Sequence, residues 1–574
     1  MQSFWTIAPL IALALVARAP ALQQQAPPPG ITEAMARLQA QDPAGAVTIL
    51  ESVTEREPGN ERAWRLLGVA LQGTKQLDRA LEAYRKTLAI KPDAVALYNT
   101  GVVHALKGDK EQAFEWLARA KASGIVDMTA IQTDASLAPL ESDPRFKALL
   151  PTPADFEKPF VEDTKIIHEW KGEAIQDQFG WIARDIGDVD KDGIHDFVTS
   201  APGHGASGSA GRVYVYSTKS GRLLWKADGN AGDRLGTGLE AAGDTNRDGI
   251  PDVIAGAPGS NRAIVYSGRD GATLFTVRAP DGGGNAGGAV AGAGDVNGDG
   301  HADVIVGAPP ARAAGGASGT GGGSGPGFAY VFSGKDGALL QTWKGEREGD
   351  LFGSAVAGHT AEKRILLVVG AARGGAARTG RTYVYGGLTD KPRFVIEADK
   401  TGAALGAMFV SVPGDVDGDG IADVYAADFS NRSKGPSTGR TYIHSGKDGR
   451  RLLTLTGETA GEGFGTSPAT AGDVDGDGRA DLAIGAWQYA GATTSGGRVY
   501  LHSGRDGRLL RTYTCRIPGD TLGFDAVGIG DVDGDGTIDL LLTSAYSGVN
   551  GYRSGRVFVV SSGLGKRGGV SREF

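Results

Sequence analysis

The sequence predicts a mostly β chain, in which a seven-bladed β-propeller follows a small all-α helical-repeat domain at the N-terminus. Three observations predict it. An acidic phrase of fixed internal spacing occurs six times, short alternating strands and Gly-rich turns surround each copy, and helical periodicity precedes the first copy. Glycine supplies 92 of the 574 residues, which suits a fold with many tight turns.

The acidic phrase is clearest in AGDVDGDGRADLAIGA, residues 471–486. Successive copies begin 56, 51, 120, 58 and 58 residues apart, at Asp188, Asp244, Asp295, Asp415, Asp473 and Asp531. The 120-residue interval spans two units, and LFGSAVAGHTAEKRILLVVGAA at 351–372 has the flanks of a unit without its aspartates. The repeat therefore predicts seven units between 164 and 574.

Each unit is predicted to form four short strands. Alternating segments such as GRVYVYS at 211–217 indicate strands, and GKDG at 334–337 is typical of the turns that follow them. The last unit stops after its third strand, whereas KIIHEWKG at 165–172 looks like an additional fourth strand before the first unit. We expect this N-terminal strand to complete the last blade, which closes the ring and leaves no exposed sheet edge.

The acidic phrase also predicts a calcium loop. Calcium takes six to eight oxygen ligands, which loop positions 1, 3, 5 and 9 can supply from side chains and position 7 from its carbonyl. The predicted ligands, with the position-7 residue fourth in each loop, are Asp188, Asp190, Asp192, Ile194 and Asp196; Asp244, Asn246, Asp248, Ile250 and Asp252; Asp295, Asn297, Asp299, His301 and Asp303; Asp415, Asp417, Asp419, Ile421 and Asp423; Asp473, Asp475, Asp477, Arg479 and Asp481; and Asp531, Asp533, Asp535, Thr537 and Asp539.

Two other interpretations apply to these loops. Aspartate-glycine turns can be held by their own side-chain hydrogen bonds without any metal. An EF-hand is disfavoured, because the flanking segments are strands and no loop has Glu at position 12. Six bound divalent ions would change the formal net charge from −8 to +4, so the acidity is better explained as ligand supply than as a surface for a basic partner. Nucleic acid is excluded as a partner on the same grounds.

The chain resembles FG-GAP repeat proteins, the group that includes the integrin α propellers. The Phe-Gly half of the motif occurs at 179–180, 352–353 and 464–465, and the Gly-Ala-Pro half at 256–258 and 307–309. The resemblance implies a seven-bladed propeller, calcium between the first two strands of a blade, and an extracellular role in adhesion or recognition. The fourth unit departs from the family pattern, and we expect no metal there.

The N-terminus predicts export. Residues 4–17 form an apolar core too short for a membrane span, and Ala19-Pro20-Ala21 offers a cleavage site. We therefore predict a signal peptide at 1–21, a linker at 22–30, and a secreted, periplasmic or cell-surface protein. The alternative is a buried or anchoring segment. Cys515 is the only cysteine, so a disulfide framework is excluded.

Residues 31–150 are predicted to form helical repeats and a cap. Ala46, Leu50 and Pro58 are matched 34 residues later by Ala80, Tyr84 and Pro92, a period that resembles the tetratricopeptide repeat. A proline-rich linker at 151–163 follows. These helices either dock a partner peptide or pack internally, and the sequence leaves both open.

No catalytic constellation is apparent. The histidines share no recurrent partner, no nucleophile motif or phosphate-binding loop occurs, and the close aspartate pairs are accounted for as metal ligands. We expect a binding protein rather than an enzyme. The alternatives are a component of a polysaccharide- or glycan-processing enzyme and a structural envelope protein.

A protein or glycan ligand is expected on the face opposite the calcium loops. Antiparallel strands place the connections between second and third strands there, and these connections vary most among the units. Exposed aromatic residues are favoured at recognition sites, so the candidate contacts are Trp487, Tyr489, Tyr546 and Tyr552. The alternative is that these rings pack over the blade ends.

Overall fold

The structure, a computed structural model, describes residues 29–205, 209–280, 284–310, 325–361 and 364–564. The expected signal peptide and nearly all of the first linker lie outside these residues. The chain divides into two compact units. One holds the helices up to Pro159 with the short segments Ala490–Ser495 and Arg516–Gly519, and the other holds the strands from Phe160 onward.

Helices form the first unit, as the sequence predicts. They are α1 (Pro29–Gln39), α2 (Pro43–Arg56), α3 (Glu61–Gly73), α4 (Leu77–Ile90), α5 (Ala94–Lys107), α6 (Lys110–Ala122) and α7 (Pro144–Leu149), with short 3-10 turns at Met128–Gln132, Ala135–Leu140 and Pro153–Phe156. Asp42, Asn60, Asp93 and Asp109 cap α2, α3, α5 and α6 by accepting from backbone N–H groups of the first turn.

Small residues allow the paired helices to approach closely. A Cβ on Gly68 of α3 would lie 2.4 Å from the ring of Tyr84 on α4, and one on Gly101 of α5 would lie 2.7 Å from Leu117 on α6. Ala46, Leu50, Ala80 and Tyr84, the positions of the 34-residue period, are all buried. The period therefore marks the contacts between helices within each pair.

Seven antiparallel sheets form the second unit, which confirms the predicted propeller. Each of the first five blades has four strands. Blade one has β2 (Ala183–Asp185), β3 (Phe197–Ala201), β4 (Arg212–Tyr216) and β5 (Leu223–Asp228); blade two has β6 (Leu239–Gly243), β7 (Asp252–Ala257), β8 (Arg262–Tyr266) and β9 (Thr273–Arg278); blade three has β10 (Ala289–Gly294), β11 (Asp303–Ala308), β12 (Phe328–Phe332) and β13 (Leu339–Lys344); blade four has β14 (Phe352–Ala361), β15 (Arg364–Ala371), β16 (Arg381–Tyr385) and β17 (Phe394–Glu397); and blade five has β18 (Val410–Gly414), β19 (Asp423–Asp428), β20 (Arg440–His444) and β21 (Arg451–Thr456).

The last two sheets complete the ring. They are β22 (Leu482–Ala486), β23 (Arg498–His502) and β24 (Leu509–Thr514); and β25 (Ala526–Gly530), β26 (Asp539–Ser544) and β27 (Arg556–Ser561) joined by β1 (Ile166–Lys171). Strand β1 pairs with β27, with Trp170 opposite Val557. The N-terminal strand therefore supplies the fourth strand of blade seven, as the sequence predicts.

Blade six departs from the four-strand expectation and contains three strands. Its expected first strand, around 466–471, contains Pro468, which has no N–H for a ladder, and Ala469, whose φ is +64°. The Ser467 hydroxyl donates to the Ala483 carbonyl at 2.7 Å and accepts from the Gly485 N–H at 3.0 Å. A side chain thus replaces part of the backbone ladder there.

Candidate metal centres

The acidic loops connect the first and second segments of a blade, where the sequence places them. In the sixth blade, the carboxylate of Asp473 at position 1 accepts from the Asp477 N–H at 2.9 Å and from the Gly478 N–H at 2.8 Å. The position-1 aspartates of the other five loops accept from the same two positions. The loop is therefore closed around the position-1 carboxylate.

The position-9 aspartate joins the loop to the turn between the third and fourth strands. Asp481 is buried and accepts from the N–H groups of Val474, Asp475 and Gly504, at 2.9, 3.2 and 2.9 Å. Gly504 belongs to the SGRDG turn, and a Cβ on it would lie 1.9 Å from the carbonyl oxygen of Ala480. This contact explains why glycine recurs in that turn.

Burial of the position-9 carboxylates has an electrostatic cost. Desolvation raises the pKa of four of them to about 7, namely Asp196, Asp423, Asp481 and Asp539. Asp196 and Asp539 each also keep one buried carboxylate oxygen, Oδ1, without a hydrogen-bond partner. A bound divalent cation would supply the opposite charge that these groups need.

Carboxylates converge in four of the six loops. Ligand-type atoms lie within 4.8 Å of one another in the groups Asp188, Asp190 and Asp196; Asp415, Asp417 and Asp423; Asp473, Asp475 and Asp481; and Asp531, Asp533 and Asp535. An all-oxygen donor set of this kind suits a hard cation such as calcium. The residues present therefore fit the metal.

The second and third loops have Asn at position 3. The side-chain oxygens of Asn246 and Asn297 each accept from the position-5 N–H at 2.9 Å, so they take the place of a carboxylate in the turn. The position-7 carbonyls of Ile194, Ile250, His301, Ile421, Arg479 and Thr537 stay predicted ligands. In the fourth blade, strands β14 and β15 pair as a long hairpin, and the described residues of these two strands include no Asp or Glu.

Basic side chains lie against the loop carboxylates, a feature that the sequence interpretation missed. Arg450 and Arg508 contact Asp417 and Asp475 at position 3, each at 2.6 Å, and Lys165 contacts Asp533 at the same distance. Both arginines directly follow a Gly-Lys/Arg-Asp-Gly turn. Their repeated position could therefore have indicated the contact from the sequence. A cation in these loops would compete with a guanidinium or ammonium group for the position-3 oxygen.

Replacing Arg508 with glutamine is expected to strengthen calcium binding at blade six by about threefold to tenfold. The variant removes a positive charge that pairs with Asp475 in a partly screened setting. Calorimetric titration of stripped protein would measure the change. Arg278→Gln is the control, because the Arg278 guanidinium, at the end of the outer strand β9, donates to the Ser260 carbonyl at 3.2 Å and not to an acidic loop. Unchanged or weaker calcium binding in the Arg508 variant would contradict this competition.

Two of the four predicted ligand-face aromatics lie together. Trp487 and Tyr546 join Trp181 and Phe524 in a cluster, termed here the aromatic cluster, with ring centroids 4.6 to 6.4 Å apart. Phe524 is buried beneath the other three, which are half-buried. Trp487 and Tyr546 follow strands β22 and β26, in blades six and seven. Trp181 and Phe524 precede strands β2 and β25, at the start of blades one and seven.

The other two predicted aromatics lie elsewhere. The Tyr489 ring lies 3.8 Å from the Arg498 guanidinium carbon, and Tyr552 lies beside Arg553 at 4.9 Å. Sequence reasoning also missed Trp181 and Phe524. Both directly follow the Phe-Gly or Leu-Gly pair of their unit, a position that Thr237, Ser354, Ala407 and Thr466 occupy in others, so the signal was present in the repeat.

These features define a seven-bladed propeller with an acidic loop in six of its blades. Family models match the chain as an FG-GAP-like repeat at 244–306 and 381–484, an FG-GAP repeat at 185–216 and 286–332, and a tetratricopeptide repeat at 31–95. The chain carries FG-GAP repeats in its propeller and a tetratricopeptide repeat in its helical region.

Curated relatives match parts of the chain. Phosphatidylinositol-glycan-specific phospholipase D of Homo sapiens is 28% identical over 391 residues, which is 57% of this chain and 46% of that protein. Integrin alpha-6 of Gallus gallus is 33% identical over 111 residues, 18% of this chain and 10% of the integrin. The chain thus spans less than half the length of these relatives. Repeat type and relatives together support a protein-binding propeller module.

The solved Dos1 propeller is a weak structural match. It has a TM-score of 0.38 and 13% sequence identity, and the match covers 66% of this chain and 77% of that one. Within the part of the chain that the structure describes, no helix is both long and apolar enough to cross a membrane.

Proposed function

We propose that the chain is an exported, calcium-stabilised binding protein without catalytic activity. Its propeller (164–574) presents a ligand face to a protein, and its helical arm (31–150) recruits a second protein. Calcium neutralises each acidic loop and fixes the two segments that the loop joins. The scaffold thereby holds the variable connections on the opposite face in place.

One observation carries the calcium part of this proposal: carboxylate oxygens converge in four loops, and in three of them the group includes the buried position-9 aspartate. The convergence of Asp473, Asp475 and Asp481 within 4.8 Å is unfavourable for carboxylates without a compensating charge. Extracellular calcium modules bind with dissociation constants of about 10⁻⁴ to 10⁻³ M, and we expect affinities in that range, which suit an exported protein.

The non-enzymatic part rests on where the reactive groups lie. Every group of three or more His, Cys, Asp or Glu side chains that could hold a metal, among the described residues, belongs to an acidic loop. The loop carboxylates are therefore better explained as a scaffold than as an acid-base pair. The similarity to a phospholipase covers under half of that enzyme, and we do not extend its activity to this chain.

The ligand face is best marked by the aromatic cluster. Half-buried Trp and Tyr rings around a buried Phe combine apolar contact area with rigid side chains, as binding hot spots do. We propose that Trp487 and Tyr546 contact the protein ligand. Tyr489 and Tyr552, which lie outside the aromatic cluster, support the blade surface instead.

Partner capture tests this function directly. The full mature chain is immobilised in millimolar calcium and exposed to envelope material, and the captured proteins are compared between wild type and Trp487→Ala. We expect a protein that wild type retains and the Trp487 variant loses by about tenfold or more. The matched control is Asp448→Ala, in an exposed turn on the calcium-loop face.

Circular dichroism first confirms that both variants are folded. Two outcomes would then contradict the proposal. A partner retained by Trp487→Ala would move the ligand site away from the aromatic cluster. Capture of a glycan with no protein would replace the protein ligand with a glycan.

A further inference from the structure

A cavity opens between blades five and six on the face that carries the acidic loops. Its volume is about 290 Å³, and Asp417, Arg450, Arg479 and Arg505 contribute its charged groups. Asp417 belongs to the acidic loop of blade five and Arg450 to the following turn, while Arg479 and Arg505 come from the corresponding loop and turn of blade six. The cavity is therefore a junction of two neighbouring repeat units.

Positive charge is in excess in this cavity. Arg450 pairs with Asp417 at 2.6 Å. Across the described residues, neither Arg479 nor Arg505 takes part in an ion pair, and neither guanidinium is among the hydrogen-bond donors. The lining thus includes three arginines and one aspartate. Arg450 also lies 3.8 Å from Asp448, so Arg479 and Arg505 carry the unmatched positive charge.

Arg479 is unusual for its place in the repeat. It occupies position 7 of its loop, where the other five loops have Ile194, Ile250, His301, Ile421 and Thr537. Its side chain reaches over Gly418 of the neighbouring blade, where an added Cβ would lie 3.3 Å from the Arg479 Nε. Gly418 also has a φ of +78°, so glycine both permits this turn and leaves room for the guanidinium.

We propose that this cavity binds a phosphate or sulfate group. Planar guanidinium groups recognise such oxyanions through paired, charge-assisted hydrogen bonds. The volume lies at the lower limit of typical ligand pockets, about 300–1,000 Å³, and leaves room for an oxyanion group. Leu452 and Leu453 contribute apolar surface to the lining.

Calcium should strengthen this anion site. This extension rests on the proposed function: when Asp417 binds calcium, Arg450 loses its nearer carboxylate partner, at 2.6 Å rather than 3.8 Å, and becomes available to the anion. The cavity then presents three guanidinium groups instead of two. The anion site itself needs no metal, because Arg479 and Arg505 are unmatched regardless of Asp417.

The test is calorimetric titration of the full chain with inorganic phosphate and, separately, sulfate, at constant ionic strength in chelator. We expect saturable binding of at least one anion and a loss of about tenfold or more in the Arg479→Gln/Arg505→Gln variant. Lys335→Gln is the matched control, since Lys335 is the equivalent turn residue of blade three, and it should bind like wild type. Thermal unfolding of each variant confirms that it is folded.

The outcomes separate the two proposals. Absence of saturable phosphate and sulfate binding, or equal binding by the double variant, overturns the anion site. Repeating the sulfate titration in calcium should tighten binding by about threefold or more, from one additional charge-assisted contact. If the anion binds but calcium does not, the calcium-binding proposal fails and the anion site stands. If calcium binds but leaves sulfate affinity unchanged, the proposed effect of calcium on the anion site is overturned.

Discussion

Replacing Arg556 with alanine is expected to destabilise the propeller by about 3–5 kcal/mol, the usual cost of breaking a buried ion pair. The Arg556 guanidinium is fully buried and contacts the equally buried Asp520 carboxylate at 2.7 Å and Glu169 of β1 at 3.3 Å. Its removal leaves Asp520 buried without its cation. Urea unfolding of the full chain would measure the change, and the cost is a large share of a typical unfolding free energy.

Arg212 provides the matched control, because it occupies the same repeat position in blade one. Its partners Glu173 and Asp228 are about half exposed, at 46% and 54%. Solvent screening should limit the effect of Arg212→Ala to about 1 kcal/mol. Equal losses in the two variants would show that the Asp520 pair contributes no more than a surface contact. A partial recovery of stability in Arg556→Met/Asp520→Leu would indicate that the unpaired charge causes the loss.

Replacing Asp481 with alanine is expected to destabilise the propeller by about 3 kcal/mol or more, even in chelator. The substitution leaves the N–H groups of Val474, Asp475 and Gly504 without their acceptor in a buried position, and each unmet donor costs about 1–3 kcal/mol. Chemical unfolding in chelator would separate this structural role from calcium binding.

Asp477→Ala in the same loop is the control. Asp477 accepts only from the Arg479 N–H through its side chain, at 3.1 Å, and it is more exposed than Asp481. We expect a loss of about 1 kcal/mol in chelator. In calcium both variants should lose the ion of blade six. A small effect of Asp481→Ala in chelator would mean that position 9 acts only through the metal.

Much of the fold could be predicted because both the regular spacing of the repeat and its departures from the pattern are visible in the sequence. Spacing alone located the unit without aspartates, and the early stop of the last unit indicated that β1 completes blade seven. The absence of a first strand from blade six could not be predicted from that pattern. This absence depends on Pro468 and on the Ser467 hydroxyl, which makes hydrogen bonds in place of backbone groups.

The sequence was sufficient to predict which residues belong to the acidic loops, but not which side chains contact them. Loop positions 1, 3, 5 and 9 could be listed from the sequence, but the contact between Asp481 and Gly504 joins residues 23 positions apart, across a blade. The contact between the Arg508 guanidinium and Asp475 likewise joins residues that are far apart in the sequence. Similarly, the aromatic cluster combines Trp181 with Phe524, residues that become neighbours only when the ring closes.

We propose above all that the acidic loops bind calcium and that this stabilises the propeller. The measurement that tests it most directly is the amount of calcium bound per chain by chelator-stripped full-length protein, with Tm followed alongside. We expect about six ions, one for each acidic loop, and a Tm that rises by about 10 °C or more. Almost no bound calcium, with an unchanged Tm, would contradict it and would identify the loops as self-sufficient turns.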